Sequence, residues 1–203
     1  MGLLSQDLLL QTLSAIREAY QDFFQRVLTK LREEGVDFQV EPSVLVGRGD
    51  NPHGSKYNLP LRVDVLRSTE RGPQVLGIEL DEAPEAQSLS IQTDDGREIV
   101  VTPFHWNRCD VLFDGPDEAW GPVLQWFERW YDREDTRAGD AYGLHGVIHA
   151  LAEPVETPHG RLITADFGSA PVEAAEELFV TLHELGLSRI RVGSFPRDPE
   201  PTS

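Results

Sequence analysis

Leu9, Leu13, Ile16, Tyr20, Phe23, Val27 and Leu31 recur at steps of three and four, and after Gly35 that period stops. No other feature constrains the fold as much. The spacing predicts one long helix over residues 5–34, with a continuous apolar stripe and Arg17, Glu18, Gln21, Gln25, Arg32 and Glu33 on the opposite face. Ser5 is the expected N-cap, Asp7 suits the positive end of the helix dipole, and Gly35 suits the stop. A stripe of that length must dock on another element.

Beyond Gly35 the pattern alternates, which is the period of strands. Extended chain is expected over 36–40 and 44–46, broken at Pro42. Short strands follow at 59–66, 75–80, 88–93 and 98–102, with a hairpin turn at Thr93-Asp94-Asp95-Gly96-Arg97. The short spacings leave no room for crossover helices and predict an antiparallel meander, with 109–113 as a further strand. A second helix lies within 116–134, starting properly at Pro122, with Val123, Trp126, Phe127 and Trp130 as its stripe. The run 132–140 reads as a solvated linker. Strands at 146–151 and 161–167 flank a turn at 156–160. A third helix begins after Ser169 and Pro171, turns Val172, Ala175, Phe179, Leu182 and Leu185 inward and stops at Gly186. A last strand spans 188–193, and the tail 196–203 should fray.

The expected class is therefore α+β. Antiparallel sheet is packed by a long N-terminal helix, a central tryptophan-rich helix and a C-terminal strand–strand–helix–strand unit. At 203 residues, one domain over 1–203 is the simplest organisation, with a subdivision into 1–135 and 141–195 as the alternative. Apolar content of 39% and charged content of 26% are ordinary for a globular chain. The start, MGLLSQDLLLQTL, has no basic region before its apolar run, and the single Cys109 precludes an internal disulfide. Both point to a cytoplasmic protein.

Thirty-five acidic residues against eighteen basic ones give a formal charge of −17, spread along the chain. Such a field repels nucleic acid and anionic membrane and draws basic partners. The tryptophans concentrate between 106 and 130, and Trp106 and Trp120 stand among loop formers where an aromatic can be exposed as an interface anchor. Near them lie Asp114, Asp117, Glu118, Asp132, Glu134 and Asp135. Together these eight residues are the candidate surface for a basic protein partner.

Motifs for chemistry are sparse. His145 and His149 share a face at even spacing, and a carboxylate such as Asp166 or Glu153, or the nearby His159, would complete a metal site for a small hydrolase. The glutamate of HExxH is missing, and the plainer reading is two histidines on a half-exposed strand. Asp166-Phe167-Gly168 matches the magnesium-holding tripeptide of kinases without a glycine-rich loop, VAIK or HRD, so Gly168 reads as a strand-to-helix turn. The loop GRGDNPHGSKYN, residues 47–58, gathers Arg48, His53, Lys56 and Tyr57 as a connector or ligand contact, but its lysine and serine stand in the wrong order for a phosphate loop. Cys109, four residues from His105, sits among apolar residues and reads as buried and inert. No cofactor is expected.

The stretch LITADFGSAPVEAAEELFVTLHELGLSRIRVGS, about a sixth of the chain, resembles segments of small bacterial immunity proteins of polymorphic toxin systems. The resemblance rests on a strand, the DFGSAP turn, a helix and a strand, and carries over no site residue. It implies a cytosolic inhibitor that neutralises a toxin or effector domain by occluding its active site.

Overall fold

The computed structural model describes residues 3–44, 59–80, 84–92, 96–115, 120–187 and 189–195. Helix α1 (Leu3–Glu33) begins two residues before the expected cap, so Ser5 lies inside it. Its buried stripe is Leu9, Leu13, Ile16, Tyr20, Phe24, Leu28 and Leu31. Phe23 and Val27, expected at its centre, are only half-buried. Steps of three and four are both compatible with 3.6 residues per turn, so the pattern alone did not choose between adjacent aromatics. Packing chose Phe24, which meets Tyr20 edge to face at 5.8 Å. The helix stops because Gly35 takes φ +68°, and Gly35 and Val36 donate back to Arg32 and Leu31. That is a Schellman closure.

The strands form three sheets and not one meander. β1 (Phe38–Val40), β4 (Val65–Thr69) and β5 (Gly72–Leu76) make an antiparallel sheet in the order β1-β4-β5. β2 (Ser43–Val44) pairs with β3 (Leu61–Arg62). The third sheet takes β6 (Leu89–Gln92), β7 (Glu98–Val101), β8 (Cys109–Phe113), β9 (Ala150–Leu151), β10 (Val155–Thr157), β11 (Gly160–Asp166) and β12 (Arg189–Gly193). Its order is β10-β11-β8-β12-β7-β6, with β9 beside the end of β11.

The difference from a meander lies in β12. It enters between β7 and β8, parallel to β7 and antiparallel to β8, and so separates two strands that are neighbours in sequence. The sheet thereby crosses the linker at 132–140. Of the expected strand–strand–helix–strand unit, β11, α3 (Val172–Glu184) and β12 are present, the strand expected over 146–151 shrinks to β9, β10 is an additional strand, and β7 and β8 complete the sheet.

Helix α2 (Trp120–Tyr131) buries Trp120, Val123, Trp126, Phe127 and Tyr131. It packs on α3, and α3 packs in turn on α1. Trp126 Nε1 donates to Ala174 O at 2.8 Å, which ties α2 to the first turn of α3. Around this tie Trp106 stacks on Phe167 at 4.7 Å and Phe167 meets Trp126 edge to face at 6.1 Å. The helices and the large sheet share this apolar cluster. No described helix is long and apolar enough to cross a membrane.

Candidate functional site

Five separate pieces of chain bring polar groups into the interior at one place. Glu41 stands in the turn between β1 and β2 at φ +51°, and its amide donates to Asp64 O at 2.9 Å. That left-handed conformation carries its side chain inward, and Glu41 is 1% exposed. Asp64 lies between β3 and β4, Tyr20 comes from α1, and His149 precedes β9. Asp166 ends β11 and Ser169 opens the turn into α3.

The contacts form a closed knot. Glu41 Oε1 accepts from His149 Nε2 at 2.7 Å and from Ser169 N at 3.1 Å, while Oε2 accepts from His145 N at 2.6 Å. Asp64 Oδ1 accepts from Tyr20 Oη at 3.0 Å, and Oδ2 accepts from Ile78 N at 2.6 Å. His149 Nδ1 lies 2.9 Å from Asp64 Oδ1, close enough for an ion pair but off the line of a hydrogen bond. The His149 backbone is fixed as well, donating to Asp166 O and accepting from Arg62 N, each at 2.9 Å. Gly168 makes the approach possible. At φ +48° a Cβ there would stand 2.2 Å from His149 Cδ2. Glycine was expected at this position for the turn, and the second reason is the imidazole beside it.

Arg62 closes the knot on its outer side. Its guanidinium lies 4.9 Å over the Tyr131 ring and donates to the carbonyls of Tyr131, Glu41 and Asp132 and to Asp135 Oδ1. Charge-assisted bonds of this kind suit arginine's planar fork.

The electrostatics follow from burial and pairing. Burial alone would pull His149 down, but the contacts with Asp64 and Glu41 and the nearby charge of Asp166 outweigh it, and the imidazole is held well above its ordinary value. Burial pushes Glu41 up, yet the bond and charge of His149, with the His145 amide and Ser169, bring it below the usual carboxylate range. Asp166 behaves differently. Burial is the largest influence on it, the charges of Asp64 and Glu41 add to it, and His149 and the Gly168 amide only partly offset it, leaving its carboxyl at about 7.

Chemically, His149 is therefore a protonated bridge between two carboxylates. An imidazolium carries a proton on both nitrogens and has no lone pair for a metal. Among the described residues no group of three or more His, Cys, Asp or Glu is arranged to hold a metal ion. His149 is fully buried, which corrects the half-exposed strand expected for it. His145 comes close through its backbone only, because its Nδ1 faces Arg137 O at 2.9 Å. His159 is exposed in the turn between β10 and β11. Cys109 is buried as expected, and burial followed by the Asp110 charge pushes its thiol well up.

The tryptophans are also inside. Trp106 is 0% and Trp120 7% exposed, which corrects the expectation that either stands out from a loop. Their loop-like neighbours cover a stacked core and do not present it. Of the candidate carboxylates, Asp114, Glu134 and Asp135 are exposed. Asp132 caps its own turn, accepting from Thr136 Oγ1 at 2.7 Å and Arg137 N at 2.8 Å, and Asp135 is held by Arg62. Asp117, Glu118 and the loop 47–58 lie outside the described residues. Asp114 and the 132–135 run flank opposite ends of α2, separated by its twelve residues, roughly 18 Å of helix.

Glu41, Asp64, Tyr20 and Arg62 were not singled out from the sequence. A signal did exist at Arg62-Val63-Asp64-Val65, where opposite charges two apart in an apolar strand face the same side. Glu41 gave none, because its left-handed turn depends on β1 and β4 being paired.

The knot borders a cleft of about 420 Å³. Asp64 and Asp166 reach its wall, and Glu79, His105, Asn107 and Arg108 line it further out. Comparison with protein-family models, curated proteins and solved structures finds no match to this chain.

Proposed function

We propose that the protein is a stoichiometric binding protein that docks an anionic surface on a basic partner. It would act as an immunity or inhibitor protein does, neutralising a cationic toxin or effector by covering its active site. The observation that carries this reading is where the charge sits after folding. Among the described residues, exposed carboxylates such as Asp22, Glu33, Asp37, Glu70, Asp114 and Glu134 enter no ion pair with a described base. Those acids contribute little to holding the fold, since exposed charges of either sign are worth little there. They do build a field that accelerates encounter with a positive surface. The convergent interior residues favour binding over catalysis, because each ring nitrogen of His149 lies against a carboxylate of the fold, Nε2 2.7 Å from Glu41 and Nδ1 2.9 Å from Asp64.

Immobilised protein tests the proposal by capture from native lysate at low and physiological salt, with stoichiometry read by native mass spectrometry. The expected result is a basic protein bound one to one, weakened by salt and weakened further by Asp114→Asn with Glu134→Gln. Retention of no basic protein at low salt overturns it. So does a partner whose binding ignores both salt and the paired substitution.

A further inference from the structure

The buried knot has too little positive charge for its carboxyl groups. Glu41, Asp64 and Asp166 face one imidazolium, His149, while the Arg62 guanidinium is turned to three backbone carbonyls and Asp135. Glu41 and Asp64 have each oxygen occupied. On Asp166, Oδ1 accepts from Gly168 N at 2.9 Å, and Oδ2 has no partner among the described residues. A half-buried carboxyl that shares its one nearby cation, His149, with two other carboxylates is poorly neutralised, and it binds either a proton or a cation. Asp166 keeps its proton up to about 7.

The same carboxyl lines the cleft. Its volume of about 420 Å³ suits one long side chain, and it offers Val63, Val75 and Leu80 as apolar wall. Val75 is 54% exposed, an unusual degree for a valine in a strand beside a cleft. Lysine and arginine carry a polar head on an apolar stem and match such a combination. We propose that this cleft seats a lysine or arginine side chain of the basic partner, with its cationic head on Asp166 and its stem along Val63, Val75 and Leu80.

This rests on the docking reading and names its anchor. Glu79 adds negative charge further out. Three groups oppose it: Arg62, whose guanidinium is engaged by Asp135 and three carbonyls, His105, and Arg108, whose Nε lies 4.0 Å from Asp110. Arg108, half-exposed at the cleft, competes for the position, and its removal should help the incoming cation.

The test uses the full chain with Nα-acetyl-lysine methylamide and Nα-acetyl-arginine methylamide, with the norleucine analogue as neutral control. Carbon-13 NMR follows the Asp166 carboxyl through pH titration. Saturation with either basic probe should lower the Asp166 midpoint by about one to three pH units, and norleucine should leave it in place. Asp166→Asn should weaken the basic probes about tenfold, the loss of one charge-assisted contact. Arg108→Ala should tighten them. Should Asp166→Asn fail to fold, Glu79→Gln at the exposed rim provides the second variant, with about twofold weaker binding expected. An unmoved Asp166 midpoint, or an equal response to norleucine, overturns the proposal. If the probes leave Asp166 unmoved while a basic protein is still captured, the cleft is wrong and the docking reading stands. If the probes bind but no basic protein is captured, the cleft stands and the docking reading falls.

Discussion

Two populations of acid divide this molecule. Glu33, Asp114 and Glu134 lie in water, and their number sets the net charge. Glu41, Asp64 and Asp166 lie against one another around His149, and their positions link α1, the small sheets and the large sheet. The outer group is conspicuous in composition and weakly tied to the fold. The inner group is a small minority and strongly tied to it. Net charge therefore says little about which carboxylates shape the protein.

Removing one partner from the knot should test that division most severely. Glu41→Ala leaves an imidazolium beside fewer acceptors and frees the Ser169 and His145 amides, and should cost about 3–5 kcal/mol. Chemical denaturation checks this, and a loss below about 1 kcal/mol would place Glu41 with the surface acids. Gly168→Ala comes next. It forces a side chain into left-handed backbone 2.2 Å from His149 Cδ2, and overpacking of this kind costs about 1–3 kcal/mol or more. Melting temperature is the readout, and an unchanged value would mean that the approach of the turn after β11 to His149 is not tight.

A third experiment sharpens the comparison within the knot. The folded Asp166 carboxyl titrates at about 7, against an ordinary 3.8. A carboxyl raised on folding stabilises the fold most below its free value, and that contribution is lost as pH rises through the folded one. His149, raised as well, acts in the same direction, and its contribution fades as pH climbs from its ordinary 6.5 through its raised folded value. Asp166→Asn should therefore flatten the fall in stability between pH 3.8 and about 7 and leave in place the loss from His149 that begins near its ordinary 6.5. A parallel pH profile in the variant and the parent would break the assignment. The smallest effect is expected outside, where Glu134→Gln should shift unfolding by less than about 0.5 kcal/mol.

Much of the fold was legible because it rests on local period. The stripe of α1, the bounds of β8 and the capping of α3 between Pro171 and Gly186 depend on neighbours three or four residues away. The large sheet was less so. Nothing near 98–113 announces that a strand from 189–193 will separate β7 from β8, since that pairing spans about half the chain. The candidate site was hardest to read. His145 and His149 attracted notice through their spacing, yet only His149 turned its ring inward, and its partners come from positions 41 and 64. Likewise Trp106 and Trp120 have polar and glycine neighbours, and only the packing of Phe167 and α3 shows that they are covered.

By itself the sequence determined the helices, most of the strands, the α+β class and the sign of the outer field. Each follows from residue type and near-neighbour spacing, which act before the chain has collapsed. Tertiary structure alone decided strand order and the meeting of Glu41, Asp64, His149 and Asp166. A carboxylate's protonation and partners depend on what surrounds it in space, and those surroundings come from segments more than a hundred residues apart.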